Sequence, residues 1–338
     1  MKVFKKLALM AAMVTLVVTL AACEESEPRG IIYGGPQGWA ATEFLSTKFD
    51  NEEDYGELIQ NFEFYPVGSS ATLNSTLQTA YDNEEPWVGY HWAPTWPHAV
   101  MDLRYLQDDL EYDADLHETH GLGDLPAGDV TVVVTDGFDG EYPEIYEFIS
   151  NYETTTEITS EMINWMVNEA PDDAEEADAA IWFLENHEDI WTQWLPEDVA
   201  SNVQTALDGG DPDVEQSDRD PVELAAGDWE SIMIHNEIAM YIMEHGYGQE
   251  AQQTITDTPV QIESLRNGTF HINLEMWVAN LVTYEDDTAE GKYHEVSVNF
   301  IDPGQGLYIP GYLQDEYEIY TIQDLNDHVE LFEHSEVR

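Results

Sequence analysis

Cysteine is nearly missing from this chain, and so is positive charge. The single thiol, Cys23, excludes an internal disulfide, a CxxC redox pair and a cysteine-built zinc site. Only 10 Lys and Arg stand against 70 Asp and Glu, a formal net charge of −60. A surface so acidic repels phosphate backbones, which excludes nucleic acid as a partner. The chain also lacks HExxH, GxSxG and the GxGxxG or GKS loops, so neither a cofactor nor a metal is expected. His117 and His120 sit one helical turn apart, but no further ligands follow at zinc spacing, and they read as solvated surface. Beyond the first 22 residues no apolar run is long enough to span a membrane.

What is present is a globular composition with an unusual surface. Hydrophobic residues make up 43% of 338, enough for one large domain or two lobes despite the acidity. Three of the ten basic residues, Lys2, Lys5 and Lys6, lie at the very start, so the remainder is more acidic still. Such a surface suits high salt, where a Debye length of ~3 Å at 1 M relieves self-repulsion. Lys2 to Lys6, the apolar run Leu7–Val18 and Leu20-Ala21-Ala22-Cys23 have the layout of a lipoprotein leader. Residues 1–22 are therefore expected to be a signal peptide, Cys23 a lipidated thiol, and residues 23–28 a tether. A plain secretory peptide is the simpler alternative.

Trp87 to His98, W-V-G-Y-H-W-A-P-T-W-P-H, is free of charge in a chain crowded with it. Pro94 and Pro97 stiffen it, so Trp92 and Trp96 belong to a fixed loop, either an ordinary core turn or one wall of a ligand cage. Before it, Arg29–Tyr33 reads as a strand, Gly34–Trp39 as a glycine loop and Ala40–Phe49 as a helix. Phe62–Pro66 and Ala71–Tyr81 repeat strand and helix. Val130–Val134 is a β-branched run suited to a buried strand. Helices follow, with Trp165, Trp182, Trp191 and Trp194 on apolar faces as core. An acidic linker, 207–224, precedes a second strand–loop–helix unit, with Asp228 as the expected N-cap and Gly246 as the C-cap. Gly268–Trp277 reads as a strand, Asn299–Gly311 as two strands about a glycine turn, and Ile322–Phe332 as a final helix.

Four tryptophans, Trp39, Trp92, Trp229 and Trp277, stand where strands end or helices begin, which is where α/β lobes bind ligands. For any one of them core packing is the simpler reading; the shared placement favours a site. A quaternary ammonium group donates no strong hydrogen bond, and aromatic faces are its natural container, at ~0.5–2 kcal/mol per contact. A carboxylate on the same ligand would take backbone N–H groups at the helix starts, around Trp39 or around Ser231 and Ile232.

The stretches Tyr33-Gly-Gly-Pro-Gln-Gly-Trp39, Gly89-Tyr-His-Trp-Ala-Pro-Thr-Trp96, Ile181-Trp-Phe-Leu184, Gly227-Asp-Trp-Glu-Ser231, His235-Asn236, His245-Gly-Tyr-Gly248, Leu274-Glu-Met-Trp277 and Gly304-Gln-Gly306 together span most of the chain. They resemble the glycine betaine/choline-type substrate-binding proteins of ABC importers. The resemblance implies an α/β, two-lobed clamshell of the type II periplasmic-binding-protein fold, with mixed sheets and a hinge. It also implies an aromatic cage, an ABC permease as partner, a small quaternary ammonium ligand, a monomer, and no enzymatic activity. The order of segments differs from the usual one, as if the chain were circularly permuted, with the acidic linker joining the ancestral ends. The lobes would be 29–128 plus 312–338, and 129–311. Carried over by position, Trp92 and Trp277 lead the candidate ligand residues, joined by Trp229, Trp39, Tyr90, Trp96, Ser231, Ile232 and His98. Glu275 would face the cation or be a buried structural acid. The competing readings are a secreted acidic hydrolase acting on glycans, with paired carboxylates, and a ligand-sensing lipoprotein.

Overall fold

The computed structural model describes residues 30–113, 116–126, 128–281, 283–301 and 303–333. The leader, Cys23 and the tether lie outside the described residues, as does the side chain of His117.

Strand–helix alternation builds the first lobe. Its strands are β1 (Gly30–Gly34), β2 (Phe62–Pro66), β3 (Gly89–Trp92) and β4 (Leu103–Tyr105). The chain then crosses over and forms β5 (Val130–Thr135), whose six residues are all buried, as its β-branched run requires. A helical layer follows, and then β6 (Val222–Ala226), β7 (Ala251–Ile255), β8 (Ile272–Trp277) and β9 (Tyr293–Phe300). Finally β10 (Gln305–Pro310) returns to the first lobe.

Each lobe holds one five-stranded mixed sheet, ordered β2-β1-β3-β10-β4 in the first and β7-β6-β8-β5-β9 in the second. Strands β1, β2 and β3 run parallel and β10 runs against them; β6, β7 and β8 run parallel and β5 runs against them. Advancing every strand by five positions around the chain converts one order into the other. The expected two-lobed α/β fold is therefore what forms, and each lobe lends one antiparallel strand to the sheet begun by the other half of the chain.

Four local expectations change. The lobe boundary expected between 311 and 312 falls instead between β9 and β10, because β10 pairs with β3 and β4. Gly246 lies inside the helix Glu230–Tyr247, and Gly248 ends it at φ 69°, in the left-handed region that glycine tolerates. The N-cap of that helix is Trp229, and Asp228 turns elsewhere. The tail, expected as a helix, winds as 3-10 turns over Asp324–Phe332, interrupted at His328. Leu325, Val329 and Phe332 still bury against the first lobe, Phe332 at 5.7 Å from the Phe62 ring.

The acidic linker is anchored to the second lobe. Ser217 N donates to Gly248 O, and Arg219 stacks over Tyr142 while bonding Glu144. In the first lobe the buried Lys48 bonds Tyr55, Asp108 and Gly123 O, which fastens the segment leading to the crossover.

Candidate functional site

The loops after β1, β3, β6 and β8 meet between the lobes. β1 runs through Gly35 into the helix Ala40–Asp50, capped by Trp39; β6 runs through Gly227 into Glu230–Tyr247, capped by Trp229. Both indoles fold back over their glycines. A Cβ on Gly35 would stand 2.8 Å from Trp39, and one on Gly227 only 1.7 Å from Trp229. β3 and β8 end on Trp92 and Trp277. The five-strand shift that relates the sheets maps β1 onto β6 and β3 onto β8, so each lobe contributes one equivalent pair of tryptophans.

These four side chains line one cleft of about 530 Å³, counting its part open to solvent, together with Tyr90 and Glu275. Trp39 sets its ring edge-on to Trp92 at 5.0 Å and, across the lobes, to Trp229 at 5.2 Å. Tyr90 stacks on Trp92 at 5.7 Å. Trp39, Trp92 and Trp229 are buried, which places the lobes in contact around them.

Glu275 forms the polar floor. Its Oε1 accepts from Trp229 Nε1 at 2.8 Å, Ser231 Oγ at 3.0 Å and Trp277 Nε1 at 3.1 Å. One carboxyl oxygen thus fixes both second-lobe indoles. Asn273 accepts from Glu275 N and donates to Gln261, which in turn reaches Ala226 O and Thr256 O. Burial raises the Glu275 carboxyl to about 7, against the three donors that lower it.

The remaining sequence candidates divide. Tyr90 lies in the cleft, its hydroxyl donating to Gln305 at 3.4 Å. Ser231 is buried and serves Glu275, and Ile232 packs in the apolar cluster that holds Trp39 and Trp92, so neither side chain lines the cleft. Trp96 is placed elsewhere. It opens the short helix Trp96–Val100 and packs on the second lobe's core, as a strut between lobes. His98 is also outside. It follows His91 to the opposite face of β3, 4.7 Å from Tyr308 and 5.1 Å from His91, where burial lowers it to about 4. Gln261, Asn273, Asn280 and Leu281 line the cleft without having been foreseen. Asn273 had a usable signal, since it shares a strand face with Glu275; the helix residue Gln261 had none.

Polar contacts join the lobes beyond the aromatic cluster. Asp228 Oδ2 accepts from Ser70 N at 3.1 Å, at the start of the helix Ser70–Asp82 of the other lobe. Asn280 and Gln305 exchange two amide hydrogen bonds, 3.0 and 2.9 Å, beside the β9–β10 crossover. Aromatic faces of this kind, with a carboxyl among them, can hold a cation that has no hydrogen-bond donors of its own.

Among the described residues no helix is long and apolar enough to cross a membrane. The profile of the family described as the substrate binding domain of the ABC-type glycine betaine transport system matches residues 19–186 and 220–336. The glycine betaine/carnitine transport binding protein GbuC of Listeria monocytogenes serotype 1/2a (strain 10403S) is 25% identical over 264 residues, 77% of this chain and 75% of the relative. Among solved structures, a phosphate-binding protein of a Streptococcus pneumoniae phosphate ABC transporter aligns over 89% of this chain and 95% of its own, at 8% identity and TM-score 0.41. The aliphatic sulphonate binding protein SsuA of Escherichia coli aligns over 86% of this chain at 10% identity and TM-score 0.32, and the chain spans 64% of its length. Likenesses so distant leave the architecture to rest on the two sheets themselves. The chain belongs to the substrate-binding domains of ABC-type glycine betaine transport systems, and it is the extracytoplasmic solute-binding component of an importer, with a small-molecule ligand and a permease as partners, and not an enzyme.

Proposed function

We propose that the cleft captures glycine betaine or a related quaternary ammonium solute, with Trp39, Trp92 and Tyr90 from one lobe and Trp229 and Trp277 from the other as its walls. The observation that carries this reading is the pair of equivalent tryptophans from each lobe around a single cleft. A trimethylammonium group gains ~0.5–2 kcal/mol from each desolvated ring face. Contacts from both lobes favour the closed state, and closure is what a permease can recognise. The backbone N–H groups that begin the helices at Ala40 and Glu230 suit a ligand carboxylate.

The leader sequence supports a lipid anchor at Cys23 that tethers the protein outside the membrane. The acidic surface supports work at high salt, and import of a compatible solute fits that setting. The segment order read from the motifs is what supports the circular permutation. A symmetric exchange of five strands leaves the sheet order unchanged, so the fold tolerates such a cut. Calorimetric titration at molar salt with glycine betaine, choline, carnitine and proline tests the ligand class. Binding of at least one quaternary amine, with proline weaker, is expected. No heat with any quaternary amine would refute the proposal.

A further inference from the structure

The cleft contains one group that an aromatic cage alone does not explain. Glu275 is 1% exposed and lines the cleft beside Trp229 and Trp277. Its Oε1 is saturated by three donors, whereas its Oε2 is buried and has no hydrogen-bond partner among the described residues. A carboxyl oxygen left in that state is unfavourable in a dry site, and the cleft it lines is walled by Trp39, Tyr90, Trp92, Trp229 and Trp277. A ligand seated in the cleft can relieve it. An ionised Oε2 would be relieved by net positive charge or by a donated hydroxyl proton. A protonated Oε2 would itself donate to a ligand acceptor.

We propose that Glu275 is the charge-selecting residue of the cleft: a quaternary ammonium ligand of net positive charge and with a hydroxyl, of the choline type, displaces the proton from its Oε2, whereas a zwitterionic betaine does not. This rests on the reading that the cleft takes quaternary ammonium compounds. The step is a proton transfer alone. The proton on Oε2 passes to solvent, and the carboxylate left behind pairs with the ligand's charge. A betaine brings its own carboxylate into the same small space, and two like charges there keep Glu275 protonated.

The surroundings allow this titration to be seen near neutrality. Burial places Glu275 at about 7, so both of its forms are populated there. On the adjacent helix, Glu230 is also raised by burial, and Asp228 is engaged with Ser70 N. Tyr152, behind the strand, is raised far by burial and stays neutral. His91, under Trp92, and His98 are lowered by burial and stay neutral from pH 6 upward. His235, bonded to Tyr152, is lowered to about 3 and is equally silent. Gln261 and Asn273 do not ionise.

The test is the affinity of the purified full-length protein for choline and for glycine betaine between pH 6 and pH 8, at fixed molar salt. Neither ligand titrates in that interval. Choline affinity should rise roughly tenfold from pH 6 to pH 8, the change expected when binding requires the ionised form of a group near 7. Glycine betaine affinity should stay flat or fall. Calorimetry of the unmutated protein in buffers of different ionisation enthalpy should count close to one proton released with choline at pH 6. Glu275→Gln should bind choline with no pH dependence. Identical pH profiles for the two ligands overturn the inference while leaving the cage intact. A choline slope that survives in Glu275→Gln overturns it too, and assigns the titration to another group such as Glu230. Binding of neither ligand at any pH overturns the function itself.

Discussion

Trp92 is buried, yet it stacks on Tyr90 and meets Trp39 edge-on at a cleft wall, so it serves packing and site together. Trp92→Ala should weaken quaternary amine binding by about 1 kcal/mol or more, the size of a desolvated cation–π contact. Titration of a variant with an unchanged near-UV spectrum checks this. Glu275 gives a second prediction. Its folded value, about 7, lies above the ordinary carboxylate range. The stability it contributes is complete below ~4.5 and is lost as pH rises through 7, up to about 3 kcal/mol. Ligand-free Glu275→Gln should therefore gain on the unmutated protein between pH 5 and pH 8 in paired urea melts. Trp39, Trp92, Trp229 and Trp277 were legible because each ends a strand or begins a helix, the first three within two residues of glycine or proline. Trp96 and His98 were not, since whether a residue past a strand end turns into the cleft or onto a neighbouring lobe depends on the partner. Asp228 shows the same limit. It has an N-cap residue type, but it accepts from Ser70 N, a partner remote in sequence.

At the scale of elements, the two strand–glycine–tryptophan–helix units hold the cage. Gly227→Ala would drive a Cβ into the Trp229 ring, 1.7 Å away as it now lies, so the ring must leave Glu275 Oε1. Ligand affinity should fall by about 1 kcal/mol or more, with the loss of one ring face, while the first lobe keeps its fold. Asp228 places negative charge at the start of the helix Ser70–Asp82 across the cleft, an arrangement worth ~0.3–1 kcal/mol. Asp228→Ala should loosen closure, read as faster ligand release with little change in the rate of association. Strands β1 and β5 were readable from short apolar runs, and β8 from the apolar residues that alternate with Asn273 and Glu275. Strand β6, in contrast, begins at Val222, inside the span expected as acidic linker. The edge strands β4 and β7 were not readable: β4 is three residues long, and β7, Ala-Gln-Gln-Thr-Ile, is largely exposed and carries no apolar alternation. Gly246 and Gly248 are both chemically suited to end a helix, and φ alone separates them.

For the whole molecule, the sequence pattern led to two α/β lobes, and the crossover was the part misplaced. A glycine turn between two apolar strands looks alike as a hairpin or as a passage between lobes. Only the pairing of β10 with β3 and β4 distinguishes them. The acidic surface predicts that thermal stability rises with salt, from low ionic strength to molar KCl, as screening relieves repulsion among carboxylates. Melting curves across that series check it. The most direct test of the cage compares glycine betaine with glycine by calorimetry at molar salt. The two share a carboxylate and differ in the three methyl groups on nitrogen. Tryptophan faces from both lobes predict glycine betaine at least about tenfold tighter, an advantage that Trp92→Ala and Trp277→Ala each reduce. Equal affinity for the two ligands would contradict a cage built for a quaternary ammonium group.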